Sequence, residues 1–134
     1  MRDKAFFDSN VLIYAMVSGD SRRERAQQLV EEGGAISVQV LNEFVAVARR
    51  KMSMPWKDVI DAVDTIRILF PSPLAITMDT HQLALKIAQR YEFGIHDALI
   101  ASSALEANCS TLYSEDMQDG QVIDRKLTIR NPFD

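Results

Sequence analysis

Cysteine is almost missing: Cys109 is the only one among 134 residues, so the chain can form no internal disulfide and a reducing compartment is its simplest home. Histidine is nearly as scarce, with His81 and His96 alone, which leaves no Cys and His cluster for zinc. Long apolar runs are absent too. No stretch approaches the roughly 18 residues of a membrane span, and the first apolar run breaks at Asp8, Ser9 and Asn10, too early for a signal-peptide core. Nor is there an excess of positive charge, since 19 Asp and Glu outnumber 15 Lys and Arg. That balance counts against a plain nucleic-acid-binding module. It counts less against a protein whose acids hold cations, because a bound divalent ion reverses the local field that a phosphate meets. The expectation is a soluble, cytoplasmic protein without membrane association. Residues 1–134 suit one domain, which at this length buries roughly two-thirds of its unfolded surface. There is no internal repeat and no low-complexity segment.

What is present is organised around Ala5-Phe6-Phe7-Asp8-Ser9-Asn10. The apolar residues read as a buried strand, and apolar residues resume at helical spacing from Val11. Asp8 therefore stands at the C-terminal end of a strand, the edge where open α/β sheets bind ligands. The plain alternative is that Asp8 or Ser9 only caps the following helix.

The chain then alternates. Val11 to Val17 make a short helix closing at Ser18-Gly19. Asp20 or Ser21 caps a second, charged helix that Gly33-Gly34 stops. Ala35-Ile36-Ser37 is a brief strand. From Val38 to about Met52 the positions Val40, Leu41, Phe44, Val47 and Ala48 mark a helix, with Glu43 at the border of its buried face. The bland alternative there is an acid that pairs with an arginine or reaches outward. Pro55 stands in the first turn of a helix with Val59, Ile60, Val63, Ile66 and Leu69 or Phe70 inward, ended by Pro71-Ser72-Pro73. Trp56, the methionines and the aromatics at helical spacing read as core. Thr77 or Asp79 caps a further helix that closes at Gly94. The helix opening at Gly94-Ile95-His96-Asp97 carries Asp97 in its first turn, on one face with Ala101 and Ala104. Ser110 to Ser114 is a strand that leads into Glu115, Asp116 and Asp119, and Lys126 to Ile129 is a last short strand. Strands separated by helices predict a three-layer α/β/α sandwich with a central parallel sheet of four or five strands.

In that sheet Asp8 and Asp116 leave strand ends on one edge, and the helices bearing Glu43 and Asp97 pass beside it. Two unit charges about 4 Å apart repel by roughly 4 kcal/mol at an effective dielectric of 20, so converging carboxylates call for a cation. Oxygen-only ligands favour Mg²⁺ or Mn²⁺. Such an ion keeps open positions for a phosphate oxygen and a water, which makes phosphodiester hydrolysis the natural reaction. Ser9 and Ser114 would orient a carboxylate or a water, and Asn10 would donate to a phosphate oxygen. Neither serine has a base in view, so neither reads as a nucleophile.

The four motifs, Asp8-Ser9-Asn10, Glu43, Asp97-Ala98-Leu99-Ile100 and Ser114-Glu115-Asp116, together resemble the PIN-domain ribonucleases of the VapC toxin type, in order and over nearly the whole chain. The resemblance implies a Mg²⁺- or Mn²⁺-dependent endoribonuclease, the homodimeric toxin of a toxin-antitoxin pair. It further implies a small antitoxin whose C-terminal segment enters the acidic site. On that resemblance Asp8, Glu43 and Asp97 match the three core acids and Asp116 the fourth, with Glu115 and Asp119 as neighbouring acids. Ser9 stands where the family more often has Thr and keeps the hydroxyl. His96 reads as a partly buried structural residue.

Two rivals cover less of the sequence. An aspartyl-phosphate phosphatase shares only the first motif and would need a second Asp where Asn10 stands. A PIN-like fold kept as an RNA- or protein-binding module would have no use for so many repelling acids. Arg22, Arg23, Arg25, Arg49, Arg50 and Lys51 could line an RNA path, although charged runs are usually solvated helix faces.

Overall fold

The computed structural model describes residues 4–17 and 19–133. Its elements are β1 (Ala5–Phe7), α1 (Ser9–Met16), α2 (Arg23–Glu32), α3 (Val38–Arg50), α4 (Trp56–Leu69), α5 (Met78–Tyr91), α6 (Ile95–Glu106), β2 (Thr111–Tyr113), β3 (Val122–Ile123) and β4 (Leu127–Arg130). Ser18, expected to close the first helix, lies outside the described residues. Among the described residues no helix is long and apolar enough to cross a membrane.

The four strands form one sheet in the order β1-β2-β4-β3. The pairs β1/β2 and β2/β4 are parallel, with Phe7 opposite Tyr113 and Tyr113 opposite Arg130. Phe6 and Phe7 point to opposite faces of the sheet, and both are fully buried. Both faces are therefore covered, as the α/β/α reading requires. The sheet is nevertheless mixed, because β3 pairs antiparallel with β4. A tight turn makes this hairpin: Lys126 N–H donates to Ile123 O at 3.0 Å, and Asp124 and Arg125 both have left-handed φ, 50° and 59°. That is the turn a two-strand hairpin favours, built here without the Asn-Gly or Asp-Gly pair that signals it in sequence.

The expected strand at Ala35–Ser37 reduces to single bridges, Ala35 to Phe6 and Ser37 to Leu74, both parallel. Two backbone bonds hold it to β1, Ala35 N–H to Ala5 O at 2.9 Å and Phe7 N–H to Ala35 O at 3.1 Å. Ser37 then caps α3, its hydroxyl accepting from Val40 N–H at 3.3 Å. Thr77 and Thr80 form a reciprocal capping box on α5, which ends at Glu92 in a left-handed conformation, before Gly94. Pro55 precedes α4 as its cap instead of sitting in the first turn.

The core joins Phe6, Phe7, Leu12, Phe44, Ile66, Ile87, Ile100 and Leu112, and α6 packs closely through Ala98, Ala101 and Ala104. Several residues expected inside lie outside, Met52 and Met78 among them. Trp56 and Ile60 are more than half exposed, because α4 buries only Val59 and Ile66 fully, and Trp56 instead lies under the Arg49 guanidinium at 4.5 Å.

Gly34 is held against β1 more closely than the other glycines: a Cβ there would lie 2.7 Å from Ala5 O and 2.7 Å from Phe7 Cε2. The backbone oxygen cannot yield without breaking the pairing with β1. Gly34→Ala is thus expected to destabilise the protein by about 1–3 kcal/mol, read as a lower urea midpoint at unchanged slope.

Candidate active site

Parallel pairing of β1 with β2 sets the ends of the two strands side by side, and Asp8 N–H continues the ladder to Tyr113 O at 3.0 Å. Asp8 and Ser114 then meet directly. The Ser114 hydroxyl donates to Asp8 Oδ2 at 2.7 Å, while Asp8 Oδ1 accepts from Ser9 N–H at 2.7 Å as the cap of α1. The capping reading of Asp8 holds for Oδ1, while Oδ2 is turned to Ser114. Asp8 is only 3% exposed and Ser114 is fully buried.

Burial pushes the Asp8 carboxyl up to about 6; the Ser114 and Ser9 hydrogen bonds oppose this, and the charges of Asp97 and Asp116 add to it. Glu43 is pushed up to about 7, first by burial and then by Asp8, Asp97 and Asp116, while a bond from Gln39 Nε2 at 3.1 Å pulls the other way. Asp97 is raised by burial and by Asp116, with His96 acting against them. The structure therefore brings Asp8, Glu43, Asp97 and Asp116 into one electrostatically coupled group, drawn from the end of β1, from α3, from the first turn of α6 and from the loop after β2.

Asn10 ties this group together. Its Nδ2 donates to Asp8 Oδ2 at 3.4 Å and to Asp116 Oδ2 at 3.3 Å, and its Oδ1 accepts from Glu115 N–H at 3.2 Å. The amide expected to reach for phosphate is committed to the acids themselves. Ser114 similarly accepts from Met117 N–H at 3.2 Å, closing the acidic loop on itself.

The neighbouring acids are engaged elsewhere. Tyr14 OH donates to Glu115 Oε1 at 2.6 Å, and Arg22 pairs with Glu115 at 3.5 Å and also donates to the Tyr14 oxygen. Asp119 accepts from Asn131 N–H at 2.8 Å and holds the C-terminal segment. His96 is exposed instead of partly buried, because the first turn of α6 faces outward there. Glu43 finds Gln39, not an arginine. That partner stands four residues earlier on the same helix, a spacing that could have revealed it. Nothing local marks Tyr14 or Arg22 as supports of Glu115.

The donor set is oxygen-only and strongly anionic, which fits a hard divalent cation. Among the described residues no three Asp, Glu, His or Cys side chains are placed to grip one ion together.

Comparison with known proteins gives the geometry a context. The PIN domain family model matches residues 5–119. A chain of a toxin-antitoxin complex from Klebsiella pneumoniae superposes with a TM-score of 0.72 at 22% identity, over 97% of this chain and 98% of that one. Mycobacterium tuberculosis VapC20, described as a sarcin-ricin loop cleaving toxin, gives 0.69 at 19% identity over 84% of this chain and 90% of its own. A chain of VapBC2 from Rickettsia felis, solved with a fragment of promoter DNA, gives 0.70 at 19% identity over 95% and 97%. Likeness at these identities establishes the fold. No curated protein matches the chain.

Because the Asp8 and Glu43 carboxyls titrate higher folded than unfolded, the folded state holds more protons between about pH 4 and 7. Stability without divalent metal is therefore expected to fall as pH rises through this window and to level off above it. Glu43→Gln should flatten the profile and raise stability at pH 8, measured by urea unfolding in EDTA.

Proposed function

Because the chain belongs to the PIN-domain family, we propose that it is a metal-dependent endoribonuclease, the toxin of a toxin-antitoxin pair, acting as one domain. The observation that carries this reading is the meeting of Asp8 and Asp116 across the Asn10 amide, with Glu43 and Asp97 near enough for their charges to act on the same group. A fold without chemistry to perform would gain nothing from burying Asp8 among other acids, since each added charge raises the cost.

In this reading Asp8, Glu43, Asp97 and Asp116 would hold Mg²⁺ or Mn²⁺ between them, an ion taking one or two carboxylates directly and keeping waters toward the others. When bound, the ion supplies charge stabilisation at the scissile phosphate and an activated water. The chain's own residues set the stage. The Ser114 hydroxyl and the Ser9 N–H fix the Asp8 carboxylate in one orientation, and the Asn10 amide holds Asp8 and Asp116 at a set separation. Gln39 fixes one oxygen of Glu43. Supports of this kind around metal-binding groups are worth about 10–100-fold in metal affinity or activity. A small antitoxin that covers the acidic site, a homodimer and a cytoplasmic setting complete the proposal; the neighbouring folds include chains solved in toxin-antitoxin complexes.

The direct test is cleavage of a mixed set of structured RNAs by purified protein with Mg²⁺, Mn²⁺ or EDTA. Internal cuts are expected with either metal, none with EDTA, and a loss of about 10²-fold or more in Asp8→Asn. Equal cutting by that variant would sink the reading. Asn10→Ala and Ser114→Ala are expected to cost about 10–100-fold. Metal alone should also raise thermal stability, by about 2.7 kcal/mol at a hundredfold excess over its dissociation constant.

A further inference from the structure

Three depressions adjoin along the last turns of α3, and Val47 lines all of them. One, of about 460 Å³, is bordered by Glu43, His96 and Arg50. Another, of about 250 Å³, is bordered by Asn10, Asp116 and Lys51. Between them is a shallow apolar saddle of about 160 Å³ formed by Ala46, Val47, Arg50 and Lys51. Glu43 and Asp116 thus each border a cleft with a cation on its wall, and the two clefts share Val47.

Arg50 and Lys51 are exposed, and among the described residues neither side chain makes a hydrogen bond or ion pair. Their neighbour Arg49 differs, donating to Met54 O at 2.8 Å and lying over Trp56. Complementing the helix dipole accounts for a basic last turn in general. It does not account for two uncommitted cations divided between the two clefts that flank the carboxylates. A single strand crossing this edge would bring one phosphate to the acids and its neighbours to the cations.

Building on the ribonuclease reading, we propose that Arg50 and Lys51 are phosphate-binding residues that seat a single-stranded RNA backbone on both sides of the acidic site, Arg50 in the Glu43 cleft and Lys51 in the Asp116 cleft. Their contribution is electrostatic and independent of base identity. Because each binds a phosphate beside the reacting one, they govern affinity and register of the strand, not the chemical step.

The test is binding of a labelled 12-nucleotide single-stranded RNA, followed by anisotropy across a series of salt concentrations. Asp8→Asn serves as parent, and Arg50→Gln, Lys51→Gln and the double variant are built on it. Each single variant is expected to weaken binding several-fold and to reduce the slope of log affinity against log salt by about 0.7, the double by about twice that. Lys51→Arg should keep the slope of the parent. Lys126→Ala should do the same, since Lys126 precedes β4 and so lies at the opposite edge of the sheet. Slopes unchanged in both single variants, or a parent that fails to bind RNA, would overturn the proposal. Wild-type protein that binds with these slopes but never cleaves would instead overturn the ribonuclease reading and leave the phosphate contacts standing.

Discussion

The hydrogen bond from Ser114 to Asp8 is the joint on which the site turns. It spans two parallel strand ends, and it forms only because β1 and β2 pair with Phe7 opposite Tyr113, so that the next residue of each chain segment faces the other. A slip of one residue would send Asp8 and Ser114 to opposite faces. Burying a carboxylate is costly unless it is well bonded, and Asp8 is bonded by a hydroxyl, a helix N–H and an amide. None of these partners is a cation. The carboxylate therefore keeps its charge available for an ion, where an arginine would have neutralised it.

The same economy runs through the rest of the edge. Asn10 spaces two acids with a neutral amide, and Gln39 holds Glu43 in the same way. Arg22 is engaged by Glu115, beside this group of acids instead of within it. That pairing, with the Tyr14 hydroxyl and the packing of Phe133 on Tyr14, anchors the start of the loop, while Asp119 anchors its other end on Asn131. Asp116 stands between two fixed points. Burial first, and the charges of the neighbouring acids after it, raise the titration of Asp8 and Glu43 within this frame.

Much of this was legible from the chain. The apolar run ending in Asp8-Ser9-Asn10 and the matching run ending in Ser114-Glu115-Asp116 are each a strand followed by a hydroxyl and an acid, a pattern that period and turn chemistry make readable. Thr77 announced its helix through its capping side chain. The β3 hairpin was hidden because its turn uses Asp124 and Arg125 in left-handed conformations, for which side-chain identity gives little warning. Trp56 and Ile60 were misread as core because helical spacing marks an apolar face without saying whether anything covers it.

What the sequence alone determined is the local inventory: which acids stand at a strand end, at a helix start or at the border of a helix's buried face, in a chain with one cysteine and two histidines. Those are properties of neighbours along the chain, set by period, caps and composition. Only the tertiary structure decided which acids belong together. Asp116 joins Asp8 while Glu115 and Asp119 are bonded away, and Arg50 and Lys51 fall into separate clefts, because these relations cross strands and helices far apart in sequence. Distance through space follows from how the parallel pairs register and how α3 and α6 pack beside them, and no local pattern encodes it.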